Sequence, residues 1–174
     1  MWVTIGQDKA IDQLKRSLKA TRTCHAYLFV GPDQVGKMTL ALDLARGLNC
    51  IDNNNPCQKC SQCTRISRET HVDVRIIGLG TSISTNRQNR VQIGIDQVRE
   101  VQRESSLKPF EGSHRVYIFD GAERLSEEAS NCLLKTLEEP PDQVVLILLT
   151  SNPEVLLPTL ISRCRTVELK PVSK

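Results

Sequence analysis

Nine consecutive residues, Gly31-Pro32-Asp33-Gln34-Val35-Gly36-Lys37-Met38-Thr39, constrain this chain more than any other stretch. The apolar run Ala-Tyr-Leu-Phe-Val precedes them at residues 26–30, and Leu40, Leu44 and Leu48 follow at i, i+4, i+8 on one helical face. The pattern reads strand, loop, helix. In a loop spaced Gly31-x-x-x-x-Gly36-Lys37, successive backbone N–H groups and a helix N-terminus point at phosphate oxygens while the lysine reaches the outer phosphates. Such a string also arises by chance in a plain strand-to-helix turn, so the flanks decide, and both comply. Gly31, Gly36 and Lys37 are therefore predicted to hold the phosphates of ATP or ADP, with Met38 and Thr39 counted in the same nucleotide site.

The loop departs from its pattern where magnesium should be held. The residue after the lysine is ordinarily Ser or Thr, whose hydroxyl ligates Mg²⁺; here it is Met38, and a thioether suits a hard cation poorly. Thr39 lies one residue on, about 100° further round the helix, and does not substitute. Gln34 stands where many such loops carry glycine for close backbone approach. The expectation is nucleotide binding with Mg²⁺ held weakly if at all, and slow hydrolysis.

At 174 residues the chain has the length of one domain with a single substantial core. Hydrophobic residues at 39% and charged residues at 25% are those of a globular protein. No run approaches the roughly 18 apolar residues of a membrane span. The opening residues lack a basic segment followed by an apolar one, so no secretory leader is predicted and the cytoplasm is the expected compartment. A net charge of +3 is too small to announce nucleic-acid binding, although it permits a local basic patch.

Four of the seven cysteines fall within fourteen residues: Cys50, Cys57, Cys60 and Cys63. Two overlapping C-x-x-C steps with a fourth cysteine upstream supply four soft thiolates, the complement of a tetrahedral structural Zn²⁺ site. An iron–sulfur cluster also uses four cysteines, but its usual spacings differ. A closed four-thiolate site has no open position for water, so this zinc is predicted to staple a small polar insertion, about residues 50–63. Cys24, Cys132 and Cys164 stand alone in apolar or helical surroundings and read as small buried hydrophobes.

Along the chain, residues 7–20 form an amphipathic helix with Ile11, Leu14 and Leu18 inward. His25, at the entry of the first strand, reads as a structural hydrogen-bonder with no carboxylate partner to tune it. Val72, Val74 and Ile76 alternate as a strand ending at Gly78, residues 78–94 read as a polar loop, and a helix starts at Ile95 and stops before Pro109. Val116-Tyr117-Ile118-Phe119 then runs into Asp120, whose carboxylate can hold the water shell of Mg²⁺ opposite the phosphate loop. In an active ATPase of this kind a glutamate usually follows, to orient and deprotonate water. Here Gly121 follows, and Glu123 and Glu127 read as a solvated turn and a helix first turn. Ser126 caps a helix over residues 127–138 with Leu133, Leu134 and Leu137 in the core. Residues 144–149 form a continuous apolar strand of the kind found in the middle of a parallel sheet, running into Thr150-Ser151-Asn152, with Asn152 counted in the nucleotide site. A turn at Pro153, a short helix from Pro158 and a strand over residues 166–169 close the chain.

These blocks, in this order, resemble the AAA+ domain of the bacterial clamp-loader subunits of DNA polymerase III, a family with gamma/tau and delta-prime branches. The resemblance covers nearly the whole chain. It rests on Ile5-Gly6-Gln7, on residues 25–29, on the phosphate loop, on the cysteine insertion and on Asp120. It rests further on Asn131-Cys132-Leu133-Leu134-Lys135-Thr136-Leu137-Glu138-Glu139-Pro140-Pro141 and on Ser162-Arg163-Cys164. It implies an α/β P-loop domain over residues 1–174 with a five-stranded parallel sheet flanked by helices, the family's lid and collar domains being absent from this chain. It implies that Arg163 is an arginine finger reaching ATP on the adjacent subunit of a hetero-oligomeric ring of gamma/tau and delta subunits. Such a ring loads the sliding clamp on primed DNA as part of the DNA-directed DNA polymerase III holoenzyme. Met38 and Gly121 look like the delta-prime branch, which keeps the finger but has lost its own hydrolytic groups; the gamma/tau motor is the alternative.

By position alone Arg163 would be an ordinary surface arginine near the end of a short helix. Three functions stay open on the residues: an independent ATPase or kinase, a subunit serving a neighbour's site, and a zinc-stapled scaffold with no nucleotide role. Arg87, Arg90, Arg99, Arg103 and Lys108 are candidates to face DNA phosphates, although no aromatic residues interleave for base stacking and a solvated basic loop would carry the same charges.

Overall fold

The computed structural model describes residues 1–20, 24–52, 56–79 and 91–172. The chain runs α1 (Asp8–Lys19), β1 (Ala26–Val30), α2 (Lys37–Asn49), α3 (Ser61–Ser67), β2 (Val74–Ile77), α4 (Ile95–Ser105), β3 (Arg115–Asp120), α5 (Glu127–Glu138), β4 (Val144–Thr150), α6 (Pro158–Ile161) and β5 (Arg165–Glu168). Single 3₁₀ turns occupy Ala122–Arg124 and Pro153–Val155.

The strands form one parallel five-stranded sheet in the order β2-β3-β4-β1-β5. β4 is buried at all seven positions, as its unbroken apolar sequence requires of a strand covered on both faces. Alternate residues then separate two cores. Tyr27, Phe29, Val116, Ile118, Val145 and Ile147 pack under Leu14 of α1 and Leu40 and Leu44 of α2. Ala26, Leu28, Tyr117, Phe119, Leu146 and Leu148 face Val98 of α4, Leu133 of α5 and Leu160 of α6. Each fully buried leucine contributes about 1.5–3 kcal/mol. Leu133 and Leu137 are buried and Leu134 half-buried, as the helical spacing anticipates. Ser126 caps α5, its Oγ accepting the Ala129 N–H at 3.1 Å.

The termini are tied down by buried polar contacts that hydropathy does not reveal. Asp43, fully buried on α2, accepts the N–H groups of Val3 and Thr4 at 2.8–3.0 Å and the Thr4 hydroxyl at 2.6 Å, with Arg46 as its counter-charge at 2.6 Å. The Gln7 amide pairs with both backbone groups of Lys170 at 2.7 and 3.2 Å.

The structure departs from the sequence reading in places. β2 begins at Val74, not Val72, because among the described residues it is an edge strand whose one partner, β3, pairs with it from Val116 onward. Val72 is exposed. Asp73 instead accepts the N–H groups of Phe110, Glu111 and Gly112 at 2.7–2.8 Å. Of the polar stretch 78–94, residues 80–90 lie outside the described residues, while Ile93 is fully buried and bridges Leu125 in parallel. The insertion contains a helix, α3, that its cysteine spacing alone did not announce. Nε2 of His25 is buried without a hydrogen-bond partner, so the residue acts through its carbonyl, which accepts the Leu146 N–H at 2.8 Å. Among the described residues no helix is long and apolar enough to cross a membrane.

Candidate nucleotide cleft and metal cluster

The phosphate loop leaves β1 at the carboxyl edge of the sheet. Gly31 donates its N–H to the Thr150 carbonyl at 3.2 Å, and a Cβ there would come within 2.7 Å of the Leu169 carbonyl, so only glycine fits. Gly36 takes φ +97°, a left-handed conformation that turns the chain into the N-terminus of α2. Gln34, at φ +61°, adopts a conformation that glycine reaches without strain, consistent with the substitution noted in the sequence. Lys37 Nζ donates to the carbonyls of Gly31 at 2.6 Å and Pro32 at 2.7 Å and lies 4.0 Å from Asp33. Met38 is partly buried and packs against the core. Thr39 is half-buried in the first turn of α2.

The loop opens on a cleft of about 330 Å³ lined by Asp33, Lys37, Asp120, Glu123, Thr150 and Ser151, with Gly78, Gly121 and Arg124 beside them. Asp120 stands opposite Leu149 in the sheet register and Val30 opposite Thr150, which brings the ends of β1, β3 and β4 to one edge. Lys37 and Asp120 line the same cleft. Asn152 does not join them. It is exposed beyond the strand end, its N–H bonded to Thr150 Oγ1 at 3.1 Å, and Thr150 and Ser151 occupy the cleft wall. Gly121 takes φ +82°, ψ +61°, a backbone state that disfavours the glutamate otherwise found there. Glu127 is exposed as anticipated. Glu123 is not in a solvated turn: the left-handed Gly121 and the 3₁₀ turn direct it back into the cleft.

The four cysteine sulfurs of the insertion lie within 4.8 Å of one another, with Cys57 and Cys63 4.0 Å apart. An ion about 2.3 Å from each of four tetrahedral sulfurs sets them roughly 3.8 Å apart, so the cluster fits Zn²⁺. All seven cysteines are free thiols. Cys57 Sγ accepts the N–H groups of Lys59 and Cys60 at 3.5 and 3.3 Å, and Cys60 Sγ that of Cys63 at 3.4 Å, which supports thiolate character. Burial raises the thiol of Cys60, but the Cys63 N–H and neighbouring groups outweigh it and bring the pKa down to about 7. Burial pushes Cys63 up to about 12 and raises Cys50 as well, and metal binding would displace those protons. Cys50 caps α2 and Cys63 lies on α3, so an ion held here joins the two helices. The N-terminal ammonium donates to Pro56, and Gln58 Nε2 to the Met1 carbonyl at 2.6 Å, fastening the N-terminus to the same insertion.

Arg163 follows α6 and is absent from the cleft wall. Its guanidinium donates to the Thr159 carbonyl at 2.9 Å and to Glu138 Oε1 at 2.8 Å, and its side chain is 35% exposed. Beside it, burial, with Cys24 nearby, pushes Cys164 up to about 12 and makes it inert, as a structural cysteine should be. Arg99 and Arg103 are exposed one turn apart on α4, and Lys108 is exposed after it; Arg87 and Arg90 lie outside the described residues.

A parallel sheet in this strand order, with a phosphate loop after β1, an aspartate closing β3 and helices on both faces, defines a P-loop nucleotide-binding domain of the AAA+ type. The chain belongs to the clamp-loader subunit family of DNA polymerase III: residues 6–173 match the family described as DNA polymerase III, delta subunit. It is 36% identical over 168 residues to DNA polymerase III subunit tau/gamma of Haemophilus influenzae, covering 95% of this chain and 23% of that protein. It is 33% identical over 167 residues to subunit delta' of Bacillus subtilis, covering 95% of this chain and 48% of the relative. The chain thus spans less than half the length of either curated relative. Among solved structures it is similar to a gamma subunit-related protein of Thermotoga maritima, with TM-score 0.67 and 25% identity over 92% of this chain and 45% of that one. The RuvB Holliday junction branch migration motor of the same organism shares the fold, with TM-score 0.55 and 18% identity over 95% of this chain and 45% of its own.

Proposed function

We propose that the chain acts as a delta-prime-like clamp-loader subunit that completes a neighbour's ATPase site and scarcely hydrolyses ATP itself. The observation that carries this reading is Arg163: its guanidinium is anchored at the surface by Thr159 and Glu138, outside the cleft of its own chain. A permanently charged, planar group so presented is suited to neutralise a transferring γ-phosphoryl held by an adjoining subunit, a role worth roughly 10³- to 10⁵-fold in rate. Met38, turned to the core, and Gly121, in a left-handed turn, deprive this chain of the hydroxyl and the glutamate that its own hydrolysis would use. The similarity to tau/gamma subunits favours the motor reading, in which the chain's own site turns over ATP. Turnover by this chain separates the two.

In this reading the partners are gamma/tau and delta subunits, the sliding clamp and primed DNA. Arg99, Arg103 and Lys108 are the described cations available to DNA phosphates within the ring. Zn²⁺ at the cysteine cluster is structural. The P-loop cleft accepts ATP or ADP, with Gly31 and Gly36 shaping the cradle and Lys37 exchanging its loop carbonyls for phosphate oxygens. The direct test is Arg163→Ala in an assembled loader, read at the adjoining subunit.

A further inference from the structure

The last turn of α5 carries a residue that helix physics disfavours. Glu138 closes that helix, where unpaired carbonyls make the end negative and repel a carboxylate. A cation would be the ordinary choice there. Glu138 nevertheless has a specific partner 25 positions along the chain: Nη2 of the Arg163 guanidinium donates to its Oε1 at 2.8 Å. Nη1 of the same group donates to the Thr159 carbonyl at 2.9 Å. Both anchors are held firmly, because Leu137, beside Glu138, and Leu160, beside Thr159, are buried in one core. With side chains 35% and 51% exposed, the ion pair itself adds little to fold stability. It supplies orientation instead. A guanidinium has five N–H donors in one plane, and two bonds to acceptors on different elements fix that plane while leaving three donors over.

We propose that Glu138 is a positioning residue for ATP hydrolysis on the adjoining subunit: with the Thr159 carbonyl it sets the guanidinium of Arg163, which meets the γ-phosphoryl through its remaining N–H groups. The inference rests on the reading of Arg163 as a finger and adds what keeps that finger in register. A charge aimed at a transition state works only within a narrow geometry, and misplacement by about 1 Å can cost on the order of 10²-fold. An arginine free to swing would have to be ordered at every turnover; here α5 and α6 order it beforehand. The carboxylate at the unfavourable end of α5 then has a reason to be there.

The test is steady-state ATP turnover at the adjoining subunit of a clamp loader assembled with this subunit carrying Glu138→Ala, Glu138→Gln, Arg163→Ala or both alanines. Glu138→Ala should lower kcat at least about tenfold with KM unchanged, the signature of an interaction made only in the transition state. Glu138→Gln keeps an acceptor oxygen for Nη2 and should recover most of that loss. In the Arg163→Ala background the second alanine should cost nothing further, because Glu138 acts only through the arginine. Neither Glu138 variant should lower the melting temperature of the chain, since the pair is exposed. Four results would overturn the inference while leaving the finger in place: normal or faster turnover in Glu138→Ala beside a crippled Arg163→Ala, a raised KM at unchanged kcat, no recovery in Glu138→Gln, or a further loss in the double variant. Normal turnover in Arg163→Ala would overturn the finger reading itself, and this inference with it.

Discussion

The ammonium of Lys37 donates to the carbonyl of Gly31 at 2.6 Å, so the loop binds its own lysine across its mouth. Phosphate must displace two carbonyls, and the same contact aligns Nζ for it. ATP at a hundred times its dissociation constant should stabilise the fold by about 2.7 kcal/mol, a rise of roughly 5–10 °C in melting temperature for a domain of this size. Lys37→Ala should abolish that rise at the same ATP concentration in a thermal-shift assay. An unchanged rise would mean that nucleotide binds elsewhere or without the lysine.

Purified chain should contain one Zn²⁺, with four sulfurs at about 2.3 Å by X-ray absorption. Stripping it, or replacing Cys57 by Ser, should speed hydrogen exchange through α3 and the segment before it while β1 and β4 stay protected, because neither core includes the insertion's sulfurs. Absence of zinc, or a disulfide between any two of the four cysteines, would contradict the metal assignment.

Gly121→Glu should not create an ATPase. The residue would sit at φ +82°, a conformation costing of order 1–3 kcal/mol for a side chain, so the expected result is a lower melting temperature and no gain in turnover. A steady hydrolysis rate that Lys37→Ala then removes would show that the turn relaxes to the usual geometry.

Much of this fold was legible because its signals are local and periodic. The apolar run of β4, the leucine spacing of α5 with its Ser126 cap, and the stop before Pro109 each carry their own physical cause in a few residues. The cysteine cluster was legible for the same reason, since the spacing of Cys57, Cys60 and Cys63 nearly dictates convergence. What escaped depends on distant partners. Asp43 sits on a helix like any acidic residue until Val3 and Thr4, about forty positions away, close over it. Glu123 was misjudged because distance along the chain is a poor guide once a left-handed glycine reverses it; the glycine directly after a strand-ending aspartate was the available signal. Asn152 lies just past the strand end, while Thr150 and Ser151 line the cleft, an offset of one or two residues that sequence alone does not resolve.

Burial lowers the pKa of His114 below the ordinary histidine value, against a smaller opposing effect from a backbone hydrogen bond at Leu48. The unfolded chain therefore binds the proton more readily. Above about pH 6.5 both states are neutral and the contribution is fully present; as pH falls through the folded pKa it is lost. With Zn²⁺ in excess, wild type should lose more melting temperature between pH 7 and 5 than His114→Gln does. Parallel profiles would show that the buried ring does not contribute.

The central claim is that Arg163 works on a site this chain does not contain. It is tested most directly in a clamp loader assembled with this subunit carrying Arg163→Ala, by measuring ATP turnover at the adjoining subunit. The substitution removes only surface contacts to Thr159 and Glu138, so assembly should be intact. Turnover should fall well over tenfold, in keeping with the worth of an arginine finger supplied in trans. A normal rate at the adjoining site would make Arg163 a surface residue and contradict the account.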